Sequence, residues 1–148
     1  MRIYQTAKFQ GARTKTQENA LIDTGADISL IPLSLAMEIG AWRTNQTINI
    51  VGIHKQSREL RLGVVHIHFP SLNNIGGRFF TAISDKEQEP IIGMDILRPL
   101  GISIDAKRHQ LSVRNEVWEA FKTLSAWGVL IYGGIKILEA IFGDKQES

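Results

Sequence analysis

Apolar and polar residues alternate over most of the chain up to about residue 113, in short runs separated by polar or glycine-containing turns. Alternation of this kind predicts half-buried β-strands, because successive side chains of a strand point to opposite faces of the sheet. The predicted strands lie at residues 3–9, 18–22, 47–51, 60–69, 79–84, 90–92, 102–105 and 110–113. The pattern therefore favours a mainly β domain.

Two segments of this domain have helical spacing instead. Residues 33–39 follow Pro32 and stop at Gly40, as expected for a short helix that ends with a C-terminal glycine. Farther along, the apolar strand that begins at Pro90 meets Gly93 and continues into a second short helix, which Pro99 ends. Helices are thus a minor part of the predicted domain.

The pattern changes at Val117, where apolar residues begin to recur at intervals of three and four and predict a helix through residue 142. We therefore divide the chain into a domain at residues 1–115 and a helical extension at residues 116–148. Three roles for the extension are open: packing on its own domain or across a dimer, lying in a membrane interface, or spanning a membrane. A spanning helix requires about 20 mostly apolar residues, whereas the uncharged stretch covers only residues 123–135. If the helix spans, the basic residues before it predict a domain on the cytosolic side.

Composition narrows the classes of function. The chain has 148 residues, of which 43% are hydrophobic, enough for one domain with a sizeable core. It contains no cysteine, which excludes disulfides and thiolate chemistry. The net charge is +2 and the basic residues are scattered, which argues against nucleic acid as a partner. The N-terminal residues lack the apolar run of a signal peptide, so we expect a cytoplasmic protein.

The four histidines are the only side chains that suggest a metal. His66 and His68 alternate in a predicted strand and so share one face of it, an arrangement that can bind zinc but more often lines a half-polar surface. A complete site would need carboxylate ligands as well. We therefore predict no metal and no cofactor.

One motif carries candidate chemistry. Asp23-Thr24-Gly25 follows the apolar pair Leu21 and Ile22 and places a carboxylate on a tight turn at the end of a strand. Hydrolysing a peptide bond without a metal or covalent intermediate requires one group that accepts a proton from water and another that donates one to the carbonyl oxygen. Two carboxyls that share a proton fulfil both roles. Because the motif occurs once, the second carboxylate has to come from another copy of the chain.

The sequence Leu-Ile-Asp-Thr-Gly-Ala-Asp at residues 21–27, together with Ile-Ile-Gly-Met-Asp-Ile-Leu at residues 91–97, resembles the retropepsin group of aspartic proteases. This group includes the retroviral proteases and their cellular and bacterial relatives, and the resemblance covers residues 2–113. It implies a retropepsin-like acid protease fold with one lobe per chain, and a homodimer with one active site on its two-fold axis. The helix predicted at 33–39 is more similar to the cellular and bacterial branch than to the viral enzymes.

The resemblance also implies roles for single residues. Asp23 matches the catalytic aspartate, Thr24 a hydrogen-bonded brace between the two loops, and Gly25 a contact with the substrate backbone. Residues 52–56 match the tip of the flap, a hairpin that closes over bound substrate. The further positions assigned to substrate binding are Ala26, Asp27, Gly52, Ile53, His54, Ile91 and Ile92.

Some of these positions have a second interpretation. In viral members an arginine follows Ile-Ile-Gly and pairs with the aspartate that matches Asp27, whereas this chain has Met94. Asp27 therefore either helps to hold the substrate main chain or is a turn or helix-cap residue. His54 either alters the pH response of the flap or is an exposed hairpin residue. Ile91 and Ile92 are pocket or core residues that support the Asp23 loop.

The sequence as a whole predicts a homodimeric aspartic endopeptidase in which Asp23 of each subunit activates one water to hydrolyse protein or peptide substrates. The alternative is a retropepsin-fold module that dimerises and binds extended peptides with weak or no activity, because a fold by itself does not guarantee catalysis. Either form could be attached to a membrane through residues 117–142, with the protease domain on the cytosolic side.

Overall fold

The computed structural model describes residues 2–51 and 56–126. Strands dominate these residues, which confirms the mainly β fold with one lobe per chain that the sequence predicts. A single turn of 3-10 helix, Pro70–Leu72, joins two of the strands. The elements are, in chain order, β1 (Ile3–Gln10), β2 (Lys15–Ile22), β3 (Leu30–Pro32), α1 (Leu33–Ile39), β4 (Trp42–Val51), β5 (Ser57–Phe69), β6 (Ile75–Ser84), β7 (Ile91–Ile92), α2 (Met94–Leu97), β8 (Ile102–Asp105), β9 (Gln110–Val113) and α3 (Asn115–Ala126).

Seven of the strands form one sheet in the order β1-β2-β7-β3-β6-β5-β4. Strand β1 also pairs with β5, with Lys8 opposite His68 and Gln10 opposite His66, so the sheet curls back on itself. Strands β8 and β9 form a separate two-stranded hairpin. Short β7 lies between β2 and β3 and pairs in parallel with β2, which brings the second half of the chain beside the Asp23 motif.

Several strands begin earlier than the alternation of residues predicts. Strand β4 starts at Trp42 instead of residue 47, and β2 starts at Lys15 instead of residue 18. The added residues of β4 are mostly exposed, and its register with β5 shifts between Arg43 and Thr47. Backbone hydrogen bonds extend these strands where no buried face marks them in the sequence.

The main hydrophobic core lies between the curled sheet and the two short helices. In β5, Val65, Ile67 and Phe69 are fully buried, while the alternate residues His66 and His68 are only partly buried. Phe9 of β1 and Phe79 of β6 are also fully buried, so side chains from at least three strands meet in this core. Burial of a side chain of this size stabilises a fold by roughly 1.5–3 kcal/mol.

Helix α1 ends as the sequence predicts. Gly40 adopts a left-handed conformation with φ of 68°, which glycine tolerates because it has no Cβ. Its backbone N–H donates to Ala36 O and Met37 O. The β1–β2 turn covers the helix end, where Arg13 N–H donates to Ile39 O at 2.9 Å. The carbonyls that a helix leaves free at its C-terminus are thereby bonded.

Helix α3 starts against its own domain. A Cβ on Gly101 would lie 2.7 Å from Val117 Cβ, so the first turn of the helix packs closely on the residue that precedes β8. Trp118 packs partly buried against the main core. Among the described residues, no helix has the length and apolar character needed to cross a membrane. Most of the predicted helix at 117–142 lies outside the described residues, and the division of the chain at residue 115 stays a prediction.

Candidate active site

Asp23 lies directly after β2, on a turn that its own carboxylate helps to close. Its side chain is partly buried, and Oδ1 accepts the N–H of Gly25 at 2.9 Å. The N–H of Ala26 donates to Asp23 O at 3.2 Å. A Cβ on Gly25 would lie 3.2 Å from Asp23 Oδ1, tighter than an ordinary contact, so a glycine suits this position. Thr24 and Gly25 are exposed at the tip of the turn.

Strand β7 and the residues after it hold this turn through backbone hydrogen bonds. Asp23 N–H donates to Ile92 O at 2.9 Å, and Met94 N–H donates to Ala26 O at 2.8 Å. A Cβ on Gly93 would lie 2.5 Å from Ala26 O, so only glycine lets the two backbones approach this closely. The structure thus brings the two sequence motifs together, with one end of the turn bonded to β7 and the other to the first residue of α2.

The two isoleucines of β7 point to different surroundings. Ile92 is fully buried in the main core, whereas Ile91 is partly buried and packs on a second hydrophobic cluster. Ile91 lies opposite Leu21 of β2 and Leu30 of β3. The second cluster, called the side cluster below, consists of Leu30, Leu60, Leu62 and Ala82 with Ile28, Ile48, Ile50, Phe80 and Ile91 packed on it. Ile28 follows the Asp23 turn and Ile91 lies opposite Leu21 just before it, so partly buried apolar side chains of the cluster flank the turn in sequence and in the sheet.

Most of the side cluster is absent from the sequence-based list of site residues. Ile91 is the exception, because it belongs to a recognisable motif. Ile28 and Leu30 follow the turn at alternate positions, and Ile48 and Ile50 alternate in β4 just before the flap tip. Apolar residues alternate in both segments, one directly after the Asp23 turn and one directly before the flap tip. This alternation is the sequence signal that could have identified them.

Asp27 is exposed, and within residues 2–51 and 56–126 no hydrogen bond or ion pair holds its carboxylate. It does not cap α1, whose N-terminal cap is Pro32 without a side-chain hydrogen bond. Met94, which replaces the arginine of the viral motif, packs partly buried against the main core. Asp27 therefore does not cap α1 but lies in the bend that follows the Asp23 turn, as the turn interpretation predicts, while its contact with substrate stays a prediction.

The predicted flap tip, with Gly52, Ile53 and His54, lies outside the described residues. The two arms of the hairpin are described, and β4 and β5 pair in antiparallel from Val51 opposite Ser57 back to Trp42 opposite Val64. The predicted hairpin is thus confirmed up to its last residues.

A buried carboxylate that the sequence did not single out lies close behind the turn. Asp95 is 3% exposed and accepts two hydrogen bonds from Ser29, from the backbone N–H at 3.0 Å and from Oγ at 2.6 Å. Burial raises the pKa of Asp95 to about 6, although the bonds from Ser29 and from nearby backbone N–H groups oppose this rise. The carboxylate therefore titrates in the mildly acidic range.

His66 and His68 share one face of β5, as predicted, and their ring centroids are 5.6 Å apart. Burial and the nearby cations Arg78 and Lys15 lower the pKa of His66. Burial, His66, Lys15 and Lys8 lower the pKa of His68. Within the described part of the chain no group of three or more histidine, cysteine or acidic side chains is arranged to hold a metal.

The described residues also form an open pocket that contains no residue of the Asp23 turn. Its lining carries both charges, because Arg43 and Arg61 are mixed with Glu59 and Asp85. The candidate site is the Asp23 turn and not this pocket, because the chemistry requires a carboxylate on an accessible turn.

A mainly β lobe with one Asp-Thr-Gly turn, bonded to an Ile-Ile-Gly segment, is the arrangement that the resemblance to the retropepsin group predicts. Residues 4–105 match the family of retroviral aspartyl proteases, and the chain belongs to this family. The match spans the Asp23 turn, the flap arms, β7 and β8.

Two solved structures illustrate the likeness of fold. The EIAV protease, solved in complex with the inhibitor HBY-793, superposes with a TM-score of 0.59 at 24% sequence identity, covering 71% of this chain and 93% of its own. The retroviral protease-like domain of Ddi1 from Leishmania major gives a TM-score of 0.54 at 18% identity, covering 78% and 89% of the two chains. A search of curated protein sequences found no match.

Proposed function

We propose that this chain is an aspartic endopeptidase whose active site forms between two copies, with Asp23 of each subunit sharing one proton and activating one water. The observation that carries this proposal is the closed Asp23 turn, with its carboxylate bonded to Gly25 N–H and its backbone bonded to Ile92 and Ala26. A turn held in this way presents a carboxylate in a fixed direction, which proton transfer to and from a bound water requires.

The need for two copies follows from charge. One carboxyl cannot act as acid and base in the same step, whereas two carboxyls close together keep one proton between them. The chain has one Asp-Thr-Gly motif, so a two-fold dimer is the simplest source of the second. The side cluster lies beside each turn and supplies apolar surface for the side chains of an extended peptide.

Mixing subunits tests the dimer and the chemistry together. Wild-type protein and Asp23→Asn are mixed in equal amounts under conditions that exchange subunits, and cleavage of a peptide library is measured. We expect no cleavage by the variant alone. The mixture should have about one quarter of the activity of the same total amount of wild type, because random pairing gives that share of wild-type dimers.

Other outcomes contradict the proposal in different ways. A mixture with half the wild-type activity would mean that each chain acts alone. Cleavage that survives in Asp23→Asn would exclude the aspartate as the catalytic group. Binding of peptides by the wild type without any turnover would instead support a peptide-binding module that has lost activity. Asp105→Asn is the matched control, because that carboxylate accepts backbone N–H bonds in the β8–β9 hairpin, away from the turn.

We further propose that the domain works in the cytoplasm, either free or held at the cytosolic side of a membrane by residues 117–142. The packing of Val117 and Trp118 on the domain favours an extension that at least starts on the protein surface. Fractionation of the full chain and of a version ending at Asn115 tests this. Attachment requires the full chain in the membrane fraction and the short version in the soluble fraction; two soluble proteins would exclude it.

A further inference from the structure

Asp95 is the only ionisable side chain that is buried within the described residues, and the chemistry proposed for Asp23 gives it no role. Both of its carboxylate oxygens are engaged by one residue, Ser29. Oδ2 accepts the Ser29 N–H at 3.0 Å, and Oδ1 accepts the Ser29 hydroxyl at 2.6 Å. A short bond to an ionised oxygen is stronger than one between neutral groups.

The hydroxyl of Ser29 continues the contact towards β7. While it donates to Asp95, its oxygen accepts the N–H of Gly93 at 2.8 Å. Gly93 is the residue whose backbone lies against Ala26 O, at the far end of the Asp23 turn. One serine thus connects the buried carboxylate to the closest backbone contact of the site.

Four consecutive residues after β6 hold the turn segment in this way. Ile92 O accepts from Asp23, Gly93 N–H donates to Ser29, and Met94 N–H donates to Ala26. Asp95 then binds Ser29 through its side chain. Two of these contacts join backbone to backbone and would survive most substitutions, whereas the other two depend on the side chains of Ser29 and Asp95.

We propose that Asp95 is a positioning residue for the catalytic turn: its carboxylate fixes Ser29, and through Ser29 and Gly93 it fixes the backbone of Ala26 and the direction of the Asp23 side chain. Its effect on cleavage rests on the proposed function, whereas its effect on the turn itself does not. The two can therefore be tested separately.

The ionisation of Asp95 gives the positioning role a pH dependence. Burial raises its pKa to about 6, and only Ser29 and the backbone N–H groups of Ser29, Asp95 and Ile96 favour the charged form. Asp23 and Asp27 on the turn and Arg98 after α2 are the charged groups on the neighbouring segments, and none of them contributes to the shift. Protonation removes the negative charge that strengthens both bonds from Ser29.

Amide hydrogen exchange of the full chain, followed by NMR, tests the positioning role without any substrate. The variants are Asp95→Asn and Ser29→Ala, with Asp105→Asn and Ser112→Ala in the exposed β8–β9 hairpin as matched controls. We expect both site variants to speed exchange at Asp23, Gly93 and Met94 by at least about tenfold relative to the amides of β5 and β6, because the loss is local. The controls should leave these amides unchanged.

The pH dependence of amide exchange in the wild type provides a second test. An opening that breaks the bonds from Ser29 while Asp95 stays buried becomes easier once Asp95 is protonated, because those bonds favour the charged form. After correction for the intrinsic effect of pH, the protection of Gly93 and Met94 against this local opening should therefore fall as the pH is lowered through about 6, and Asp95→Asn should not show this step. Global unfolding, which exposes Asp95 to water, depends on pH in the opposite direction. If Asp95→Asn does not fold, Ser29→Ala and the wild-type titration carry the test. Unchanged exchange, or equal acceleration at all amides, would overturn the positioning role.

Activity then separates this role from the proposed function. A positioning residue should lower kcat more than it raises KM, because the substrate surface of the side cluster is intact. A wild type that cleaves no peptide would refute the proposed function and leave the exchange result standing. An Asp95→Asn variant with local loosening but full kcat would refute the catalytic consequence alone.

Discussion

Asp95 behind the Asp23 turn and the pair His66 and His68 on β5 respond to burial in opposite ways. Loss of water disfavours the charged form of each group, so the pKa of Asp95 rises and the pKa values of the two histidines fall. Asp95 is held by directed hydrogen bonds from Ser29. The histidines instead lie among cations, and His68 Nδ1 is a buried atom without a hydrogen-bond partner in the described structure.

The difference shows which of the two regions is held by specific hydrogen bonds. Beside the turn, burial disfavours the charged form of Asp95, but both oxygens of its carboxylate accept hydrogen bonds from Ser29. On β5, burial and the neighbouring cations favour the neutral form of both imidazoles, which needs no bonded counter-charge. We therefore expect changes behind the turn to alter both activity and local order, and changes on β5 to alter neither by much.

The largest expected effect is on catalysis. Asp23→Asn should lower kcat/KM for peptide cleavage by roughly 10²- to 10⁴-fold or more, because it removes the group that exchanges a proton with water. His68→Gln, on the other side of the comparison, should leave kcat/KM close to the wild-type value. Steady-state kinetics on one peptide substrate measure both. A comparable loss in the two variants would break the distinction between the regions.

The next effect is the pH dependence of stability that Asp95 contributes. Its pKa in the folded chain, about 6, is above its ordinary value of 3.8, so between these values the folded chain binds more protons than the unfolded chain. This contribution to stability is therefore fully present below pH 3.8 and is lost as the pH rises through 6. The free energy of unfolding should change by about 3 kcal/mol over this window, which follows from the difference between the two pKa values.

Urea unfolding of the wild type and of Asp95→Asn, each over a series of pH values, isolates this contribution. The difference between the two free energies of unfolding should change across the window, because only the wild type titrates there. Asp105→Asn serves as the control for a partly exposed carboxylate. A difference that is independent of pH would mean that Asp95 has an ordinary pKa.

A smaller effect is expected from crowding the turn. Gly93→Ala places a Cβ about 2.5 Å from Ala26 O, a contact that backbone atoms cannot relieve without moving. We expect a loss of about 1–3 kcal/mol in the free energy of unfolding and a shift of the Asp23 turn. Gly77→Ala in β6, a buried glycine that lies opposite Ile67, is a comparison site away from the turn. Equal loss of activity in both variants would argue against a special role for the Gly93 contact.

The smallest effect is expected on β5. Since the pKa of His66 is below its ordinary value of 6.5, the folded chain binds fewer protons there than the unfolded chain, and this contribution to stability is lost as the pH falls through 6.5. His66→Gln should reduce that loss slightly. The contribution of His66 to stability changes with pH in the direction opposite to that of Asp95, so thermal unfolding at several pH values distinguishes the two contributions. A greater loss on acidification in the variant would contradict the lowered pKa.

Much of the fold and part of the site followed from local sequence signals. Helix α1 and its Gly40 cap were predicted to the residue, because a short amphipathic run with a terminal glycine has few other conformations. The Asp23 turn and the segment at 91–93 were both recognised as parts of one site. The start of β4 was missed, because exposed strand residues that pair only through their backbone leave no alternation to detect.

The sequence by itself determined the family, the mainly β fold and the identity of the candidate catalytic aspartate, because each depends on residues that are neighbours in the chain. Only the tertiary structure decided that Ser29 meets Asp95, which is 66 residues away, and that Ile28, Leu30, Ile48 and Ile91 share one cluster. These contacts depend on the parallel pairing of β2 with β7 and of β3 with β6. Such pairings are set by packing of the whole sheet, and no single residue in them carries a local signal.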